Sequence, residues 1–95
     1  MKQPTVEQIE KYSCETYDVK IEDIKSTTTE AKHLAARKLT IYLIFHFTKM
    51  QSREIAQLYG RKQQSVDDFI REIRYLKPRD NDLKIIIKGF EYLIY

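Results

Sequence analysis

The stretch SREIAQLYGRKQQSVDDFIREI, residues 52–73, carries the spacing of a helix-turn-helix. Ile55 and Ala56 supply the inner face of a first short helix. Gly60 breaks it, and Val66, Phe69, Ile70, Ile73 and Leu76 recur at helical spacing as the stripe of a second helix. The small Ala56 lets the second helix pack close, and Gly60 can enter a positive-φ turn that residues with a side chain resist. With Val66 inward, Gln64, Asp67, Asp68, Arg71 and Tyr75 are expected to face outward. Asp67 and Arg71 then have the four-residue spacing of a helical ion pair.

Around this motif, 95 residues with 42% hydrophobic side chains suffice for one small core. Residues 1–95 are read as a single domain. Two Gly, two Pro and no alternating segments between turn pairs predict an all-α fold. The single Cys14 excludes an internal disulfide and cannot build a metal site alone. It suits a small inert core position, and neither a metal nor a cofactor is expected. The first residues carry charge rather than an apolar signal-like run, and no stretch is long and apolar enough to span a membrane. A cytoplasmic protein without a membrane partner is the expectation.

Charge is distributed unevenly. Residues 1–25 carry four Lys against six acids, residues 26–64 carry seven Lys/Arg against Glu30 and Glu54, and residues 65–95 carry six of each sign. Positive charge therefore gathers just before and through the turn of the motif. An anionic partner would be met there, although a merely solvated basic surface has the same composition.

In chain order, a first helix is expected from about Thr5 to Tyr17, with Val6, Ile9, Ser13 or Cys14, and Tyr17 inward. A connector follows, in which Val19, Ile21 and Ile24 enter the core. Thr27 with Glu30 fits a capping box, starting a helix that runs to about Thr48 and is apolar almost all round from Leu39 to Phe47. That profile belongs in the middle of a domain, and His46 within it reads as a core or rim residue. Gln51 or Ser52 caps the first motif helix, and Lys77-Pro78-Arg79 stops the second. Asp80 or Asn81 can cap a last helix with Leu83, Ile86, Ile87, Phe90, Leu93 and Ile94 on its inner face. Ile85 and Tyr92 fall opposite, an exposed pair that is a candidate homodimer interface.

The order of these parts resembles the C-terminal DNA-binding domain of the bacterial replication initiator family DnaA over nearly the whole chain. Tyr17-Asp18-Val19-Lys20-Ile21-Glu22-Asp23-Ile24 is similar to the family's opening segment. Ala36-Arg37-Lys38-Leu39…Tyr42-Leu43…Thr48 is similar to its long third helix, and Glu54-Ile55…Tyr59-Gly60 to its first motif helix. Asp82-Leu83-Lys84…Phe90 is similar to the last helix. The resemblance implies binding of duplex DNA, with the second motif helix in the major groove and a basic loop before the third helix in the minor groove. At these places the sequence departs from the family. The basic loop reads Thr27-Thr28-Thr29 and keeps only Lys32, Arg37 and Lys38. The signature turn has become Gly60-Arg61-Lys62-Gln63-Gln64-Ser65, one residue shorter, with Gln63 and Gln64 where the family places base-reading His and Thr.

The expected DNA contacts are Lys32, Arg37, Lys38, Lys49, Arg61, Lys62, Gln63, Gln64, Ser65 and Arg71. Gln64 could pair with adenine and Arg71 with guanine or phosphate. Phosphate contacts from Lys32, Arg37, Lys38, Lys49, Arg61 and Lys62 imply a log K against log salt slope of about −5. A regulatory or replication-accessory role, including transcription regulation, would follow. The alternative is a protein-interaction module on the same scaffold that has lost specific DNA binding. There is no Gly-rich phosphate loop and no nucleophile beside His33 or His46, so neither nucleotide binding nor enzymatic activity is expected.

Overall fold

Six residues in succession, Leu39 to Ile44, are buried. A helix buried around its whole circumference needs neighbours on every side, and the rest of the fold supplies them. The computed structural model describes residues 3–94. Its helices are α1 (Val6–Tyr17), α2 (Ile21–Lys25), α3 (Ala31–Phe47), α4 (Ser52–Leu58), α5 (Gln63–Leu76) and α6 (Asn81–Ile94). The central α3 packs against α1, α2, α4 and α5. The all-α expectation holds, including a helix at the C-terminal end.

Local chemistry accounts for most boundaries. Thr5 caps α1 by accepting from the Gln8 N–H at 3.1 Å, while the Gln8 side chain accepts from the Thr5 N–H at 2.9 Å. That reciprocal pair is a capping box. Ile9 and Ser13 of α1 are buried, and burial pushes the half-buried Cys14 thiol above its ordinary pKa. Ile24 is buried in α2, with Val19 and Ile21 packed against the core beside it.

The start of α3 differs from the sequence expectation. It begins at Ala31, not after a capping box at Thr27. The hydroxyls of the connector are otherwise engaged: Ser26 Oγ donates to the Asp23 carbonyl at 2.8 Å, and Thr28 Oγ1 accepts from the Glu30 N–H at 3.2 Å. The Thr28 carbonyl, which an earlier helix start would need, accepts from Arg37 instead. Side-chain to backbone bonds have won over helix propagation here.

The last helix is fixed at its start and along its middle. Asp80 Oδ1 accepts from the Leu83 N–H at 3.1 Å, satisfying one of the orphan donors at the start of α6. Asp80→Ala is expected to cost about 1 kcal/mol in urea unfolding, and Asp80→Asn much less. Farther along, the Tyr12 hydroxyl donates to the Ile86 carbonyl at 2.7 Å, and its ring meets Phe90 at 5.1 Å. Gly89 makes room for this contact, because a Cβ there would lie 2.8 Å from the Tyr12 hydroxyl oxygen. Leu83, Ile87 and Phe90 are buried as expected, but Leu93 is 69% exposed and joins Ile85 and Tyr92 on the outside.

Candidate nucleic-acid interface

The turn of the motif is built by backbone geometry. Gly60 has φ +61°, the Gly60 N–H donates to the Gln57 carbonyl at 3.3 Å, and the Arg61 N–H donates to the Ala56 carbonyl at 2.8 Å. This pair of reverse bonds is a Schellman motif, which ends α4 and turns the chain sharply. Nothing would touch a Cβ on Gly60, so the positive φ rather than space selects glycine. Ile55, Ala56, Val66, Ile70 and Ile73 are buried, which gives the helix-turn-helix its predicted inner face. Phe69 is only half-buried, with the Lys38 ammonium 5.6 Å from its ring centre. Tyr59, also buried, donates to Glu10 Oε2 at 2.7 Å and anchors the end of α4 to α1. Burial, reinforced by that carboxylate, raises its phenol far above the ordinary value.

Lys62 precedes α5 and provides no side-chain cap, and the first turn of α5 contains no acid. Lys62, Gln63 and Gln64 are exposed, and Ser65 is half-buried. Gln63 reaches Ser52 Oγ at 3.3 Å, linking the starts of the two motif helices. One turn on, Asp68 Oδ1 accepts from Gln64 at 2.9 Å and from Arg71 at 3.2 Å. The ion partner of Arg71 is thus Asp68, three residues before it. Asp67, expected outward and paired with Arg71, is instead half-buried, in a shallow pocket shared with Phe45, Ile70, Arg71 and Arg74. Tyr75 does point outward, beneath the Arg79 guanidinium at 4.1 Å.

The remaining predicted cations separate into two groups. Lys32 and Lys49 are exposed. Arg37, expected at the surface, is 2% exposed. Its Nε donates to the Ile24 carbonyl at 2.8 Å, and its two terminal nitrogens donate to Thr28 and Asp23 carbonyls at 3.0 Å. The chain folds Arg37 inward because the carbonyls at the end of α2 lack helical partners and a guanidinium fork can satisfy several at once. Arg61 is half-buried and donates to the Ser26 carbonyl. Lys38 lies 2.6 Å from Glu72 Oε2, so its charge is matched within the protein. Arg53, which sequence reasoning counted in the basic segment without assigning it a role, is exposed on α4. Among the described residues, no group of His, Cys, Asp or Glu could hold a metal ion, and no helix is long and apolar enough to cross a membrane.

The sequence that builds this turn and scaffold is similar to that of known proteins. Residues 6–68 match the family model described as the bacterial dnaA protein helix-turn-helix. The chain belongs to this family. Two curated relatives are chromosomal replication initiator proteins DnaA. The Zymomonas mobilis protein is 30% identical over 92 residues, covering 92% of this chain and 19% of the relative. The Geobacter metallireducens protein is 28% identical over 88 residues, covering 92% of this chain and 20% of the relative. The chain therefore spans about a fifth of the length of these relatives. The matched region includes the whole α4–turn–α5 entry but ends at Asp68, inside α5.

Proposed function

We propose that the chain binds duplex DNA through the first turn of α5, in a regulatory or replication-accessory role without ATPase activity. The observation that carries this reading is the acid-free first turn of α5, which exposes Lys62, Gln63 and Gln64 directly behind the turn of a DnaA-family helix-turn-helix. Exposed Lys32, Lys49 and Arg53 supply further charge for phosphate. Gln64 and Arg71 are the side chains suited to base edges, and both must leave Asp68 to act there. Base readout is therefore weak or altered relative to the family, and affinity rests mainly on phosphate.

Fluorescence anisotropy with a random-sequence duplex over a salt series tests the proposal. Phosphate contacts by Lys32, Lys49, Arg53 and Lys62 give a log K against log salt slope of roughly −3.6, flatter than the six-contact slope. The dissociation constant is expected at about 10⁻⁴–10⁻⁶ M near physiological salt. An absence of binding even at low salt would sink the proposal.

A second reading, a protein-interaction module, draws on α6, where Ile85, Tyr92 and Leu93 are 68%, 86% and 69% exposed. Pairing of two copies through Ile85 and Tyr92 would bring the exposed Lys88, on the same stripe, towards its own counterpart. Sedimentation velocity separates the cases: a monomer without DNA affinity favours a different protein partner, and a dimer that Tyr92→Glu dissociates favours self-association.

A further inference from the structure

Two arginines converge on the carbonyls at the end of α2. Arg37 takes those of Asp23, Ile24 and Thr28, and Arg61 takes that of Ser26, which lies between them in sequence. Neither guanidinium has a carboxylate within ion-pair distance among the described residues. Burial and the neighbouring Arg61 charge both hold Arg37 below its ordinary pKa, so the pair is kept together by carbonyl acceptors against its own repulsion. Such an arrangement fixes geometry at an electrostatic cost.

What it fixes is the entry to α5. The Arg61 backbone is already held to α4 through the Ala56 carbonyl, and its side chain adds a second restraint from the far side, at Ser26. Lys62, the next residue, is the N-terminal cap position of α5. Ser26 is itself held because Arg37 grips the carbonyls on either side of it. A continuous chain of bonds thus runs from α3 through the α2–α3 connector to the first turn of α5.

We infer that Arg37 and Arg61 are positioning residues for the duplex-facing first turn of α5 and do not themselves contact phosphate. The inference rests on the proposed duplex binding for its functional part, while its structural part stands apart from it. It reverses the role that charge alone assigns to both residues. Arg37 is nearly inaccessible, and half-buried Arg61 has its Nε buried and one terminal nitrogen committed to the Ser26 carbonyl.

The test uses the full chain with R37K, which keeps the charge and loses the fork, and R61M, which removes the charge at a half-buried site. In ¹H–¹⁵N spectra both variants should shift the amides of Gln63, Gln64 and Ser65 as well as those of residues 23–30. With a random-sequence duplex, both should bind about tenfold more weakly, equivalent to roughly 1.4 kcal/mol. R61M should keep the wild-type salt slope, whereas K62A should flatten it by about 0.9. The inference is overturned if R37K binds as wild type, if R61M flattens the slope as K62A does, or if the amide shifts stop at residue 30. R61M decides alone should R37K fail to fold. A wild-type chain that binds no duplex defeats the proposed function, and the amide shifts still decide the coupling between the connector and α5.

Discussion

Arg37→Met is expected to lower unfolding stability by about 3 kcal/mol, with a fall in Tm of roughly 15 °C for a domain of this size. Methionine keeps much of the buried stem but offers no donor. The carbonyls of Ile24 and Thr28 then lose their partners at 2.8 and 3.0 Å, and that of Asp23 keeps only the Ser26 hydroxyl. Orphaning a buried acceptor costs about 1–3 kcal/mol, and hydrogen bonds to charged donors lie at the strong end of the range. The full sum is not expected, because the repulsion from Arg61 is relieved at the same time. Arg37→Lys should fall between wild type and Arg37→Met, since one ammonium cannot reproduce a fork that meets three carbonyls. Urea unfolding followed by circular dichroism measures all three proteins. A loss below about 1 kcal/mol for Arg37→Met would mean that water replaces the guanidinium at these carbonyls.

Leu43→Ala is expected to cost about 3–4 kcal/mol in the same measurement. Leu43 is fully buried on α3 between other fully buried residues, with neighbouring helices around it. A cavity there cannot be closed by the movement of one surface element, so the transfer and cavity terms both count. Thr40→Val, at an equally buried site on the same helix, provides the contrast and should change stability by only about 1 kcal/mol, the net worth of one hydrogen bond. The Thr40 hydroxyl donates at 2.7 Å to the Ala36 carbonyl, which keeps an intrahelical partner when the hydroxyl is removed. A large loss in Thr40→Val would show that the hydroxyl contributes beyond this local bond.

The helix-turn-helix was legible because its inner face is periodic and its turn needs one chemically distinctive residue. Ile55, Ala56, Val66 and Ile70 alternate with exposed positions at the helical period, and Gly60 sits where φ must be positive. Burial of α3 was legible for a related reason, since a long apolar run with no polar face has no stable place at a surface. The family resemblance was carried largely by such scaffold positions, and the match over residues 6–68 covers those of α3, α4 and the turn but not Ile70 or the last helix. Less legible were features set by competition between equally good local choices. Thr27 and Glu30 have capping-box spacing, yet the connector hydroxyls and Arg37 take the groups that the cap would need. Leu93 sits at an inner-looking position, yet nothing packs over it so close to the end of the last helix.

The cations were the least legible part. Lys32, Lys49 and Lys62 stand exposed, whereas Arg37, Arg61 and Lys38 are engaged with partners 9 to 35 residues away in the chain. The sequence by itself determined the all-α class, the inner face of Ser52–Ile73 and the central place of α3, because apolar periodicity and a positive-φ glycine act locally. Only the tertiary structure decided which positive charges remain free for a partner. A guanidinium can donate to carbonyls as well as to phosphates, and which of them it meets depends on the acceptors the folded chain brings within 3 Å.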